Sequence, residues 1–406
     1  MRVAGSRGFK ACLVAVLIAG CSGATQAPPP PPGGPPAGPP AGPPAGGSDA
    51  GPPAGSPDAG PPAGSPDAGP PAGPPAESAQ LLAPEAGRLY HGVFPAGTDQ
   101  PDSDVSPQNL FVYEQTVGRK VAYVYFDHDW FKSRAFPAVT AGWIKAHGAV
   151  PFVRLMLRSQ RQVLVIDPVF TPDRIVAGEF DADLAAWADA AKAFGAPLIV
   201  EYGTEVNGDW NPWSAPYNGG LDSGPPKFQR TYRHIVELMR SRGAANITWA
   251  LHYNGQNFPG DDPRNVPKAY YPGDDVVDWV GISAYGSEKP YDHRCPSLRQ
   301  LVDDMLPQLR AATAVKPLFI FEMGITDHNP ECPSGPWVQA ALSDLLGGRW
   351  PDLRGFTWWN EHWQTDANPA DDSAMLVQEN PAVGDAFRTA LTGPQAGVVV
   401  DAPLLK

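Results

Sequence analysis

Pro197-Leu-Ile-Val-Glu-Tyr-Gly-Thr-Glu205 is a short apolar run that closes on a carboxylate. Its stretch Leu198–Thr204 has the near-continuous hydrophobic character of a strand buried on both faces. Runs of the same kind recur at Arg88–Phe94, Val121–Asp127, Val150–Leu157, Ile247–Tyr253, Trp279–Tyr285, Leu318–Met323 and Phe356–Asn360, eight in all. Helical patterns separate several of them. Asp181 is placed to cap a helix carrying Leu184, Trp187, Ala188 and Ala191 on one face and ended by Gly195. A second helix carries Tyr232, Ile235, Val236 and Met239 and stops at Gly243; a third carries Leu298, Leu301, Val302, Met305 and Leu309. Strand–helix alternation repeated about eight times predicts an α/β fold, the (β/α)8 TIM barrel. A doubly wound open sheet would want a Gly-rich phosphate turn after an early strand, and the chain has no GxGxxG.

Outward from the barrel, the composition changes. Residues 1–20 combine a basic start (Arg2, Arg7, Lys10) with an apolar run too short to span a bilayer, the pattern of a secretory signal peptide. The run ends Leu17-Ile-Ala-Gly-Cys21, which resembles a bacterial lipobox, so Cys21 is expected to be lipidated and the chain exported and lipid-anchored at the cell envelope. Ser22 rather than Asp after the Cys fits the outer membrane. Residues 21–80 are a Pro/Gly/Ala-rich linker in which Gly51-Pro-Pro-Ala-Gly-Ser-Pro-Asp-Ala59 repeats at once as Gly60–Ala68. Without large apolar side chains it cannot offset its ordering entropy and reads as a disordered tether, reaching on the order of 150 Å if fully extended as polyproline. Residues 81–395 are the barrel domain and 396–406 a tail.

The formal net charge of −13 argues against nucleic acid, which needs a basic face. Of the four cysteines, Cys12 leaves with the signal and Cys21 takes the lipid. Cys295 and Cys332 remain as an even pair in an oxidising setting and predict one disulfide. No HxH or HExxH supports a metal; Asp127-His128-Asp129, at the end of the second strand, with His91, His252 and His362, are expected to be solvated loop residues instead. No metal or cofactor is expected, and the chain is expected to be a monomer.

Glu205 and Glu322 carry the chemistry. Glu322 closes a second apolar run, Pro317-Leu-Phe-Ile-Phe-Glu322, so the pair belongs to the fourth and seventh strands. They lie 117 residues apart in sequence, but a barrel gathers the carboxyl ends of its strands at one mouth. Two carboxyl groups there can flank a glycosidic bond, about 5–5.5 Å apart for retention or roughly 6.5–9.5 Å for inversion. Trp210 and Trp213 follow the first; Trp358, Trp359 and Trp363 lie beyond the second. Such rings stack on pyranose faces. His252, ending the fifth strand, is a further candidate for substrate contact.

Several blocks resemble glycoside hydrolase family 26, the β-mannanase family. They are Ile175-Val-Ala-Gly-Glu-Phe-Asp-Ala-Asp-Leu184, Pro197 through Glu205-Val-Asn-Gly-Asp-Trp-Asn-Pro-Trp213, Tyr232-Arg-His-Ile235, Gly243-Ala-Ala-Asn-Ile-Thr-Trp249, Tyr271 through Tyr285, and Lys316-Pro-Leu-Phe-Ile-Phe-Glu-Met-Gly324. The resemblance implies a barrel and a retaining mechanism, with Glu205 as acid/base and Glu322 as nucleophile. It implies that Tyr285 hydrogen-bonds the nucleophile, that Trp210 is a sugar platform, and that Asn207 and Gly208 complete the turn presenting the acid. Substrate contacts are thus expected from Asn207, Trp210, Trp213, His252, Tyr285, Trp358 and Trp359. Two positions depart from the family pattern: Thr204 stands where His is usual and Glu201 where Arg is usual. The expected substrate is a polysaccharide, β-1,4-mannan first, with mixed-linkage β-glucan or β-xylan as alternatives. A non-catalytic carbohydrate-binding barrel and a metal-dependent hydrolase are the readings from other classes.

Overall fold

The computed structural model describes residues 80–97, 105–161, 164–363 and 368–403. The expected signal, the lipidation site at Cys21 and all of the tether except Gln80 lie outside those residues. Eight parallel strands close into a barrel: β1 (Tyr90–Pro95), β2 (Tyr123–Asp129), β3 (Val150–Met156), β4 (Leu198–Tyr202), β5 (Ile247–Asn254), β6 (Trp279–Tyr285), β7 (Leu318–Gly324) and β8 (Leu353–Asn360). Closure comes from β8 on β1, where Tyr90 to Pro95 lie opposite Gly355 to Asn360. With helices between the strands, this is the (β/α)8 TIM barrel that the spacing of the apolar runs predicts.

Most strand ends shift by one or two residues from the sequence expectation, and two of the differences have clear physical reasons. β8 starts three residues early, because Leu353 is buried and pairs with Leu318 of β7. β4 stops at Tyr202, because Gly203 takes a left-handed φ of +82°. A Cβ at Gly203 would sit 2.2 Å from the Phe228 ring, so only glycine fits that turn.

Aromatic side chains fill the barrel interior. Phe152 meets Tyr123, Tyr125 and Phe321 at ring-centroid distances of 5.7, 4.3 and 5.2 Å, and Phe319 stacks against Phe321 at 5.7 Å. All five are fully buried, each stabilising the fold by about 1.5–3 kcal/mol of apolar transfer. This plug is the floor on which the polar residues of the mouth rest.

The outer helices follow the expected faces. Helix Asp181–Phe194 buries Leu184, Trp187, Ala188 and Ala191 and ends at Gly195, φ 65°. Its cap residue is Phe180, not Asp181. Asp181 is instead the first helical residue, and its carboxylate meets His234 Nε2 at 2.6 Å on helix Gly220–Ser241. Helix Leu298–Ala312 is capped by Ser297, whose Oγ accepts from the Gln300 N–H at 3.1 Å. Cys295 and Cys332 form a disulfide that joins the segments following β6 and β7.

Candidate active site

Glu205 stands on a turn three residues beyond β4, not on the strand itself. Its φ of 53° is left-handed, a conformation that costs a non-glycine residue roughly 1–2 kcal/mol. Asn207 holds the turn in place. Its Oδ1 accepts from the Asn254 N–H at 2.7 Å, while its Nδ2 donates to the Asn254 carbonyl at 3.0 Å and to Asn257 Oδ1 at 2.8 Å. That fastens the turn to the end of β5. The carboxylate is aimed by two neutral donors: Trp210 Nε1 to Oε2 at 2.8 Å and Asn254 Nδ2 to Oε1 at 3.0 Å.

Glu322 reaches the mouth through an irregularity in β7. Ile282 pairs with Ile320, but the next residue, Ser283, pairs with Glu322, so β7 carries one extra residue there. Strict alternation would send Glu322 away from the interior that Phe319 and Phe321 occupy. The bulge re-aims it inward. Tyr285 donates its hydroxyl to Glu322 Oε2 at 2.8 Å, and Arg154 Nη1 lies 3.6 Å from Oε1. Burial pushes the Glu322 carboxyl up to about 7, helped by the negative charges of Glu205 and Glu201 and opposed by Arg154 and His252.

Beneath Glu322 lies a charged layer drawn from four strands. Glu201 is fully buried and accepts hydrogen bonds from the Tyr125 hydroxyl, from Thr204 Oγ1 at 2.5 Å and from His252 Nδ1 at 3.0 Å. Burial alone would raise its carboxyl; His252, Arg154 and the Thr204 hydroxyl outweigh that and hold it below the ordinary carboxylate range. Arg154 of β3 pairs in register with Asp127 of β2 and with Glu201 of β4. The arginine of this layer therefore comes from β3, beside a β4 position that carries a carboxylate.

Both glutamates line one cleft of about 520 Å³ over the barrel mouth, together with Arg154, Trp210, Tyr285 and Trp359. The volume falls within the ordinary range for ligand sites. Trp359 stacks on Phe94 at 3.9 Å with the planes 3° apart, and the Arg154 guanidinium lies 5.3 Å from its ring centroid.

Residues 160–314 match the model of glycosyl hydrolase family 26. The matched segment contains Glu205, Trp210 and Tyr285; Arg154, Glu322 and Trp359 lie outside it. Endoglucanase H of Acetivibrio thermocellus is 25% identical over 209 residues, covering 51% of this chain and 22% of that protein. Mannan endo-1,4-beta-mannosidase of Bacillus subtilis (strain 168) is 23% identical over 176 residues, covering 43% of this chain and 42% of that protein. The chain thus spans less than half the length of either relative. Among solved structures, the Cellulomonas fimi endo-beta-1,4-mannanase double mutant superimposes with a TM-score of 0.53 at 20% identity, covering 78% of this chain and 73% of that one. That likeness shows the barrel fold.

Four of the residues expected at the substrate are not in the cleft. Asn207 is fully buried, its amide committed to the turn. Trp213 is 2% exposed and donates Nε1 to the Thr204 carbonyl at 2.7 Å, a core role. His252 lies fully buried below Glu322, between Glu201 and Ser283 Oγ. Trp358 faces the helix side, edge-on to Phe387 with its N–H on the Met375 carbonyl. Trp210, Tyr285 and Trp359 do line the cleft, and so does Trp363.

Sequence reasoning missed Arg154, Asn254 and Glu288. Arg154 left a signal, a lone charge in Phe152-Val-Arg-Leu-Met156. Glu288 follows β6 and lines the cleft as a third carboxyl. Burial pushes it up to about 7, with Glu205, Asp292 and Glu322 adding to the shift.

Proposed function

We propose that this protein is a retaining, endo-acting glycoside hydrolase of a β-linked polysaccharide, with β-1,4-mannan the first candidate. The reading is carried by one observation: Glu205 and Glu322 line one aromatic-walled cleft in contrasting surroundings. A Glu322 oxygen attacks the anomeric carbon while Glu205 protonates the departing glycosidic oxygen. The C–O bond breaks and a glycosyl ester forms on Glu322. Glu205, now ionised, takes a proton from water, which attacks the same carbon and releases the sugar with its β-configuration kept. Tyr285 fixes the orientation of Glu322, while Trp210 and Asn254 fix that of Glu205. Trp359 and Trp363 offer ring faces to pyranose units. No metal or cofactor enters these steps.

The names of the relatives point to mannan in one case and to an endoglucanase in the other, so the polymer is decided by assay. Wild type, Glu205→Ala and Glu322→Ala are to be compared on mannan, galactomannan, mixed-linkage β-glucan and xylan. Cleavage of mannan by wild type alone is expected. Undiminished cleavage by both variants would overturn the assignment, and binding without cleavage by wild type would favour the carbohydrate-binding reading.

We also propose that Cys21 bears a lipid and that the linker holds the barrel away from the envelope surface. Labelled fatty acid should enter the wild-type chain and not Cys21→Ala; equal labelling of both would exclude the anchor.

A further inference from the structure

Glu322 and the layer beneath it hold three carboxyl groups and two bases, and their distances divide them unevenly. His252 sits on Glu201, Nδ1 to Oε2 at 3.0 Å; burial works against the imidazole's proton, but Glu201 more than offsets that and raises it, while the imidazole helps hold the Glu201 carboxyl down. Arg154 is then shared. Its Nε lies 3.2 Å from Asp127 Oδ1 and 3.9 Å from Glu201 Oε1, and its Nη1 lies 3.6 Å from Glu322 Oε1. The Tyr125 hydroxyl has one proton. It lies on Glu201 and stands 3.5 Å from Glu322, so it adds little to the latter. Tyr285 supplies the hydrogen bond to Oε2, and Glu205 adds negative charge from the cleft side, which Glu288 also lines.

We propose that Arg154 is the positioning cation of the reaction: shared between Asp127 and Glu322, it favours the ionised form of the attacking carboxyl against its burial and holds it toward the cleft. This rests on the hydrolase reading above. Position 201, where the resembling family usually has Arg, here carries Glu, and the cation arrives from the adjacent strand at the paired register position. Asp127 draws on the same guanidinium and limits the charge that Glu322 feels. Removing Arg154 and removing Asp127 should therefore move the ionisation of Glu322 in opposite directions.

Two readouts test this. In the first, kcat/KM is followed against pH for wild type, Arg154→Met, Arg154→Lys and Asp127→Asn. Arg154→Met should raise the acid limb by about one unit or more, a roughly tenfold loss on the acid side that is regained at higher pH. Arg154→Lys should bring the limb back toward wild type, and Asp127→Asn should lower it. A purely structural role would depress the rate at every pH and leave the limb in place. In the second, the Glu322 carboxyl is titrated by 13C NMR on the full chain, its signal assigned by its loss in Glu322→Gln. The same opposed shifts are expected there without any substrate. Shifts of one sign in both variants, or no shift, overturn the proposal. If Arg154→Met fails to fold, an unchanged or raised Glu322 titration in Asp127→Asn overturns it alone. Failure of wild type to cleave any polysaccharide would sink the hydrolase reading, while the NMR titration would still decide the charge sharing.

Discussion

The two glutamates of the cleft are the same residue in opposite settings. Glu205 stands on a turn past the strand end, half-exposed, and is held by two neutral N–H donors. Glu322 sits on a bulged strand, 5% exposed, above a layer of Arg154, His252, Glu201 and Tyr125. One carboxyl is positioned by dipoles near solvent and the other by charges away from it. The proposed role of Glu322 requires its ionised form; burial works against that form, and Arg154 and His252 work for it.

The contrast breaks most sharply when either group is removed. Glu322→Ala should lower kcat on the order of 10⁴-fold or more on every substrate, because no covalent path remains. Glu205→Ala should cost about 10²–10⁴-fold on polysaccharide, yet far less on aryl glycosides whose leaving group needs no proton. Equal losses on both substrate types would erase the distinction between the two roles.

A pH profile sharpens it next. As the proposed nucleophile, Glu322 must be ionised to attack, and burial raises its carboxyl to about 7. The active fraction therefore falls as pH drops through that value, and kcat/KM should decline about tenfold per unit below it. A rate that stays flat down to pH 5 would mean that Glu322 is already ionised there and is not the group that limits the reaction.

The smallest effects separate the two neighbouring indoles. Trp210→Phe keeps a ring in the cleft but removes the N–H on Glu205, with roughly a tenfold fall in kcat expected for one lost hydrogen bond. Trp213→Phe removes one of two donors on the buried Thr204 carbonyl, which keeps Asn211 Nδ2 at 3.0 Å, at a cost of about 0.5–1.5 kcal/mol. Its denaturation midpoint should drop, while turnover per folded molecule falls less than in Trp210→Phe. Calorimetry beside kinetics on the two variants checks both.

The strands and the two glutamates were legible because both are local: an apolar run, and a carboxylate at its end. Facing was harder. Trp358 and Trp359 alternate across β8, and the sequence alone does not say which enters the cleft; the Phe94 stack decides for Trp359. Asn207, Trp213 and His252 have the right chemistry for sugar contact, but their hydrogen-bonding groups are used on the turn, on Thr204 and on Glu201. Arg154 was overlooked because its partners, Asp127, Glu201 and Glu322, come from three other strands. The extra residue in β7 has no signature in Phe319-Ile-Phe-Glu322, which reads as plain alternation.

The Cys295–Cys332 bond spans 37 residues and anchors the wall from which Asp292 and Arg294 face the cleft. The eight-stranded ring closes without it. Material made in a reducing cytoplasm and material made in an oxidising compartment would then be two catalysts with one sequence. Their circular dichroism would match, and dithiothreitol would slow the oxidised preparation toward the other by loosening one bank of the groove.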